Sequence, residues 1–378
     1  VMGGDEVYPA ASYEDYLQRL WLPFECANPA PKDLTHESNH ASSTQPDLYA
    51  IPGNHDWYDG LNNFLKFFCQ KRQMGAWQTR QERSYFAAKL YDNLWIWGID
   101  IQLEGGIDKL QLDYFHTIAT EHMHDRDRLI LCTAEPAWVH INTKAGKKRF
   151  AKLNFFIRDC IEQVVDAKGN SRNLNLVLLL SGDLHHYAHY QPVNKKDYHN
   201  LADHCITAGG GGAFLHPTHN LSETLDFTVP QTTLANQSNR QPHTPLIKGA
   251  TFPSPTTSRN ICFRNLLFGW YNVPLTFLLT AILLLCFLLT QSWSIVRTEL
   301  NDISYSCFSN MYHQDLLPAW TDFMYSLLIT PAACLLLMLF LGGVYTFRDK
   351  EQGVLWKNAL LGVVHGLTHF LSGSWLMT

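Results

Sequence analysis

Apolar and polar positions divide the first 215 residues into short strands and amphipathic helices. Val1-Met2 and Leu48-Tyr49-Ala50-Ile51 are apolar runs that lead into glycine-bearing polar turns, and both predict strands. Ser12 stands ahead of Tyr16, Leu17, Leu20 and Trp21, which predicts an N-cap and a helix. Residues 60–70 place Leu61, Phe64, Leu65, Phe67 and Phe68 at helical spacing, behind the turn that precedes them. Residues 85–90 and 94–101 predict paired strands joined at Asp92-Asn93. Helices are expected over 110–120 and 150–165, and a strand over 129–133. Residues 174–180 are almost wholly apolar, the pattern of a strand buried on both faces. The polar stretch 26–45, with its Pro, Ser and His residues, predicts an exposed loop. Strands alternating with helices place this part in the α/β class.

Composition then changes twice. Thr, Pro, Ser, Asn and Gln dominate from 216 to 260, so 216–262 reads as a polar linker or surface segment. Beyond it, residues 266–289 and 323–347 are apolar enough to span a bilayer, and 355–377 is a weaker third candidate. The expected division is a first domain over 1–215, a linker over 216–262 and a membrane region over 263–378 with two to three transmembrane helices. Lys248, Arg259 and Arg264 precede the first span, while Arg348, Lys350 and Lys357 follow the second. Between the two spans, Arg297 is the lone Lys or Arg. This asymmetry predicts that both basic flanks, and the first domain, face the cytoplasm. The sequons at Asn220 and Asn236 would then stay unmodified.

Charge and cysteine usage narrow the picture. A net charge of −5 gives no global attraction for nucleic acid, and none is expected as a partner. Nine cysteines, an odd number without CxxC spacing, fit reduced thiols on a cytosol-facing protein.

The candidate chemistry lies at the ends of three predicted strands: Gly4-Asp5, Gly53-Asn54-His55-Asp56 and Gly182-Asp183-Leu184-His185. Carboxylate, amide and imidazole at strand ends are donors for a pair of divalent cations. These blocks, with Gly4-Asp5-Glu6-Val7-Tyr8-Pro9 and Ile51-Pro52-Gly53-Asn54-His55-Asp56-Trp57-Tyr58 around them, resemble the calcineurin-like metallophosphoesterase family. Its pattern runs DxH, GD, GNH[DE], a lone His, then GHxH. The resemblance covers about the first half of the chain, to Gly212.

What the resemblance implies is a four-layer sandwich of two mixed β-sheets flanked by helices, followed here by transmembrane α-helices. It implies a phosphoester hydrolase with two divalent ions and a shared hydroxide as nucleophile. Asp5 is the implied bridging ligand, Asn54 the amide ligand of the second metal, and His185 a ligand of the first. His55 is the implied outer-sphere histidine that protonates the leaving oxygen, with Asp56 placed to orient it. The family's DxH block would lie ahead of Val1, and an upstream portion supplying it is expected.

Two positions depart from the pattern. Asp183 stands where an imidazole is usual, and Ala134 stands at the lone-His position, with Glu135 beside it as a substitute donor. The shift toward oxygen donors favours Mn²⁺, with Fe²⁺ or Mg²⁺ as alternatives, over Zn²⁺. The substrate is a phosphomonoester, phosphodiester or pyrophosphate, with a lipid-linked one slightly favoured by membrane proximity. Two other readings stay open: a catalytically degenerate, membrane-anchored relative that binds phosphate or a partner, and a transporter with a regulatory domain of this type.

Further candidates flank these blocks. His186, Tyr187 and His189 lie on the next predicted strand, and alternation sends Tyr187 and His189 to one face with His185. His186, Gly210 and Gly211 are expected substrate contacts, the glycines belonging to the run 209–212 that resembles a phosphate nest. His216 and His219 are candidate replacement ligands. His365 and His369, four apart in the third span, predict interhelical hydrogen bonding.

Overall fold

The strands expected between residues 85 and 180 form one half of an eight-stranded mixed sheet in the computed structural model of the chain. The structure describes residues 1–30, 45–101, 106–166, 168–193, 201–210, 214–227 and 244–264, and scattered positions between 268 and 288. The strands are β1 (Asp47–Leu48), β2 (Gln73–Met74), β3 (Trp77–Thr79), β4 (Phe86–Tyr91), β5 (Leu94–Ile99), β6 (Arg128–Thr133), β7 (Asn175–Ser181), β8 (Tyr187–Pro192), β9 (His204–Ala208), β10 (Thr224–Leu225) and β11 (Leu246–Phe252). The large sheet has the order β10-β11-β8-β9-β7-β6-β5-β4, and β1-β3-β2 make a second, three-stranded sheet. In the large sheet β5, β6, β7 and β9 run parallel, whereas β4, β8, β10 and β11 pair antiparallel. In the small sheet β1 is parallel and β2 antiparallel to β3. Both sheets are therefore mixed, as expected, with helices packed on them.

β7 lies in the parallel part of the sheet, but it is not buried on both faces as expected: Leu176 and Leu179 are buried, whereas Val177, Leu178 and Leu180 are half-buried. On one face Trp97, Leu131, Leu179, Cys205 and Tyr190 pack with Phe115 of α4 (Lys109–Thr117) and with Phe150, Leu153 and Phe156 of α5 (Lys144–Ile157). Each such side chain contributes about 1.5–3 kcal/mol on full burial. The other face carries Phe86, Cys132 and Ala134 against Ile51, with Ile96, Ile130 and Leu180 half-buried. Asp108 caps α4 and Thr143 caps α5, each side chain accepting from the backbone N–H three residues on.

A separate cluster forms around the N-terminal helices. Ser12 caps α1 (Tyr13–Asp15), its hydroxyl accepting from Asp15 N at 3.1 Å, as the sequence predicts. The chain continues through a wide π turn (Tyr16–Trp21) into α2 (Leu22–Ala27). Pro23 has no N–H for the Arg19 carbonyl, and the widened turn takes up that mismatch. Tyr16, Leu20 and Trp21 pack on Phe64, Phe67 and Phe68 of α3 (Asn62–Phe68), with Tyr16 stacked on Phe67 at 5.1 Å.

The segment 216–262 is no linker where it is described: β10 and β11 extend the large sheet, and Leu221, Leu225, Phe227 and Leu246 enter its core. Composition misled because these strands sit at an edge, where a few apolar side chains facing inward suffice. α6 (Pro255–Arg264) follows, with Ser258 buried. The chain divides into compact units at Val1–Ile261 and Cys262–Thr378.

Among the described residues, no helix is long and apolar enough to cross a membrane. The expected spans 323–347 and 355–377, with His365 and His369, lie outside the described residues. Of the first span, the structure describes α7 (Phe268–Tyr271) and isolated positions beyond it, where Trp270, Phe277, Leu284 and Leu288 are exposed. The six described cysteines are free thiols, and Cys132, Cys160 and Cys205 are buried.

Candidate functional site

Glycines bring the three motif turns together. Met2 and Ala50 form a parallel bridge, with Met2 N donating to Tyr49 O and Ile51 N to Met2 O, so the two turns leave adjacent strands side by side. Gly53 then packs on Asp5 so closely that a Cβ there would lie 2.2 Å from Asp5 N and 2.3 Å from Asp5 Oδ1. A Cβ on Gly4 would meet Ala134 Cβ at 2.7 Å and Gly53 Cα at 3.1 Å. The last turn joins through the backbone: Gly182 N and Asp183 N both donate to Ala134 O, at 3.2 and 2.9 Å. Gly209 closes over it, its missing Cβ standing 2.4 Å from Gly182 O. Asp5, Asn54, His55, Glu135 and Asp183 thus share one end of the large sheet, beyond the carboxyl ends of β6 and β7, where α/β sheets place their sites.

Each side chain has a defined setting. Asp5 adopts a left-handed backbone (φ 52°), uncommon for a non-glycine residue, and Asp5 Oδ1 accepts from His55 N at 2.9 Å. Asn54 Nδ2 donates to Tyr58 Oη at 3.0 Å, which fixes the amide with Oδ1 as its acceptor. His55 Nδ1 lies 2.8 Å from the Pro9 carbonyl. A carbonyl only accepts, so Nδ1 carries the proton and Nε2 is the exchanging nitrogen. Tyr8 and Tyr58 flank the same ring, with centroids at 4.5 and 4.7 Å.

Asp56 is buried beneath the turn and does not touch the His55 ring; the Pro9 carbonyl holds that ring instead. Its carboxylate accepts from the Tyr16 hydroxyl, from Gly53 N at 2.8 Å and from Glu6 N at 3.3 Å. Burial pushes the Asp56 carboxyl up to about 6, against the lowering effect of these hydrogen bonds. Glu6, enclosed beside it and accepting from Gly4 N, is raised well above the usual range by burial and then by Asp56. The sequence marked Tyr16 only as a helix core residue; its hydroxyl gave no local signal of this clamp.

The last turn holds a group of imidazoles. His185 stacks on His216 at 5.0 Å, contacts Phe214 at 4.5 Å and donates its backbone N–H to His216 Nδ1 at 3.1 Å. His185 Nδ1 is buried with no hydrogen-bond partner among the described residues, and neither ring nitrogen of His186 has one. Burial, then the nearby His216, His140 and His185, push His186 down to about 4, so it is neutral at pH 7. His186 turns to the core face with Ala188 and Tyr190, whereas Tyr187 and His189 take the other, as alternation predicts. His189 Nε2 pairs with His204 Nδ1 at 2.9 Å. His219 Nδ1 is engaged with Ser258 Oγ at 2.8 Å. Gly210 has open space around its Cα, and Gly211 lies outside the described residues.

Asn54 Oδ1, the second oxygen of Asp5 and the orphaned His185 nitrogen are suitable donors for a cation. Glu135 is already ion-paired with Arg149 of α5 at 2.9 Å, which competes with metal binding. Among the described residues, no three His, Cys, Asp or Glu groups come together as a metal shell. No protein-family model and no curated protein matches the chain.

Proposed function

We propose that the chain is a metal-dependent phosphoester hydrolase of the calcineurin-like type, built as a four-layer sandwich and anchored in a membrane with its catalytic domain toward the cytoplasm. The observation that carries this reading is the contact of Gly4-Asp5, Gly53-Asn54-His55 and Gly182-Asp183 around Ala134. Turns nearly 180 residues apart in the chain present oxygen and imidazole donors at one sheet end.

In this reading Asp5, Asn54, Asp183 and His185 hold two divalent ions, Mn²⁺ in preference to Zn²⁺, and shells are completed by water, substrate or groups outside the described residues. Bound there, the ions supply Lewis acidity and an activated water. The chain's own residues do the rest. His55 contacts the phosphoryl group and gives a proton from Nε2 to the leaving oxygen, while the Pro9 carbonyl keeps the ring in register. The Asp5 carboxylate is aimed by the His55 N–H, and Tyr58 aims the Asn54 carbonyl oxygen. The apolar run 266–289, with Trp270, Phe277 and Leu288 exposed, supports the membrane anchor.

A second reading is a binding protein without turnover, favoured by the absence of a three-donor shell among the described residues and by Ala134 at the lone-His position. The deciding test is hydrolysis of p-nitrophenyl phosphate, bis-p-nitrophenyl phosphate and pyrophosphate by the full chain with Mn²⁺. We expect activity that Asn54→Ala and His55→Ala abolish. A wild-type chain that turns over none of the three supports the second reading.

A further inference from the structure

The candidate site is rimmed by aromatic rings that packing does not require. Tyr8 is 51% exposed and Tyr58 59%, yet both lie against His55, with ring centroids 4.5 and 4.7 Å from it. Phe214, 54% exposed, stands against His185 on the last turn. Exposed aromatic side chains scattered singly need no explanation, but three beside the two candidate histidines do. These rings are also held in place. The Tyr58 hydroxyl accepts from Asn54 Nδ2 at 3.0 Å, the Arg19 guanidinium donates to the main-chain carbonyl of Tyr8 and so fixes the backbone that carries that ring, and Phe214 also contacts His216 at 5.2 Å. A pre-positioned ring loses little freedom when a second ring stacks on it.

From this arrangement we propose that the substrate carries a planar aromatic group next to its phosphoryl group, as an aryl or nucleoside phosphoester does, and that Tyr8 and Tyr58 stack on it. The inference rests on the hydrolase reading for the position of the phosphoryl group, but the ring platform stands on its own geometry. An alkyl chain fits less well. The exposed rings are interrupted by the polar Asn54 and His55, whereas a lipid tail needs a continuous apolar channel. A polymeric nucleic acid is disfavoured by the net charge of −5.

The test is binding of non-hydrolysable phosphonates to the full chain with Mn²⁺, followed by calorimetry or tryptophan fluorescence. Phenylphosphonate is expected to bind about tenfold more tightly than methylphosphonate, the scale of one aromatic stack. Tyr8→Leu and Tyr58→Leu should each remove most of that preference, whereas Tyr58→Phe, which keeps the ring, should retain it. Equal affinity for the two ligands, no binding of either, or a preference that survives both leucine substitutions overturns the proposal. So does tighter binding of decylphosphonate than of phenylphosphonate. Because no turnover is needed, selective phenylphosphonate binding by a chain that hydrolyses nothing would leave the ring platform standing and remove the hydrolase reading. Hydrolysis of alkyl and aryl esters with equal kcat/KM, and no phosphonate preference, would do the reverse.

Discussion

Replacing Gly53 by alanine tests the packing on which the whole site depends. The added methyl would stand 2.2 Å from Asp5 N, 2.3 Å from Asp5 Oδ1 and 2.9 Å from Asp5 Cγ. Ordinary contacts begin near 3.4 Å, so one turn must retreat from the other by about 1 Å. Backbone and a short carboxylate are what it meets, and neither can swing aside. Overpacking of this kind costs about 1–3 kcal/mol. Retreat also breaks the His55 N–H bond to the Asp5 carboxylate, a charge-assisted bond worth about 1.5–3 kcal/mol. The expected total is about 3–5 kcal/mol. At roughly 2–4 °C per kcal/mol, Gly53→Ala should lower the thermal midpoint by on the order of 10 °C. Near-UV circular dichroism of the full chain measures it, with Gly106→Ala as the control, since nothing lies within 4 Å of a Cβ there. A Gly53→Ala midpoint equal to that of the control would refute the close approach of the two turns.

Other outcomes follow from single contacts. Tyr16→Phe removes the hydroxyl that donates to buried Asp56, and a loss of about 1.5–3 kcal/mol is expected in urea titration; an unchanged midpoint means the clamp contributes nothing. Asp100 is buried and accepts from Trp57 Nε1 at 3.0 Å, and burial raises its carboxyl to about 6. A folded pKa above the unfolded value means the native state binds the proton more tightly, so stability falls as pH rises from about 4 to about 6. Asp100→Asn keeps the acceptor and should therefore be more stable than wild type by up to about 3 kcal/mol above pH 6, with no advantage near pH 4; a difference flat across pH would contradict this. Mn²⁺ added to chelator-treated chain should raise the thermal midpoint more than Zn²⁺ does, and the opposite order would refute the oxygen-rich donor set.

The sequence was most legible where local signals and tertiary demands agree. The apolar run of β7 does form a strand between parallel neighbours, with Leu176 and Leu179 in the core, and Ser12 caps α1 through its own hydroxyl. The motif turns were legible because glycine leaves a mark wherever backbones meet. What stayed hidden depends on partners distant in the chain. Asp56 reads as an orienter of its neighbour His55, but Tyr16, 40 residues away, determines its setting. The inward face of 216–262 was masked by its polar composition, since among the described residues a few side chains, Leu221, Leu225, Phe227 and Leu246, carry it into the core. Glu135 reads as a substitute ligand, and its bond to Arg149 could not be foreseen from a motif that ends at Pro136.

The mutual contact of Gly4, Gly53, Gly182 and Gly209 with the neighbouring backbones has an evolutionary consequence. Side chains at the turn tips can be exchanged, because replacing one of them leaves the main chain where it was. The spacers between them have no such latitude. In a lineage built this way, reactivity would be rewritten at the tips of the turns while the bare hydrogens at their crossings stayed fixed.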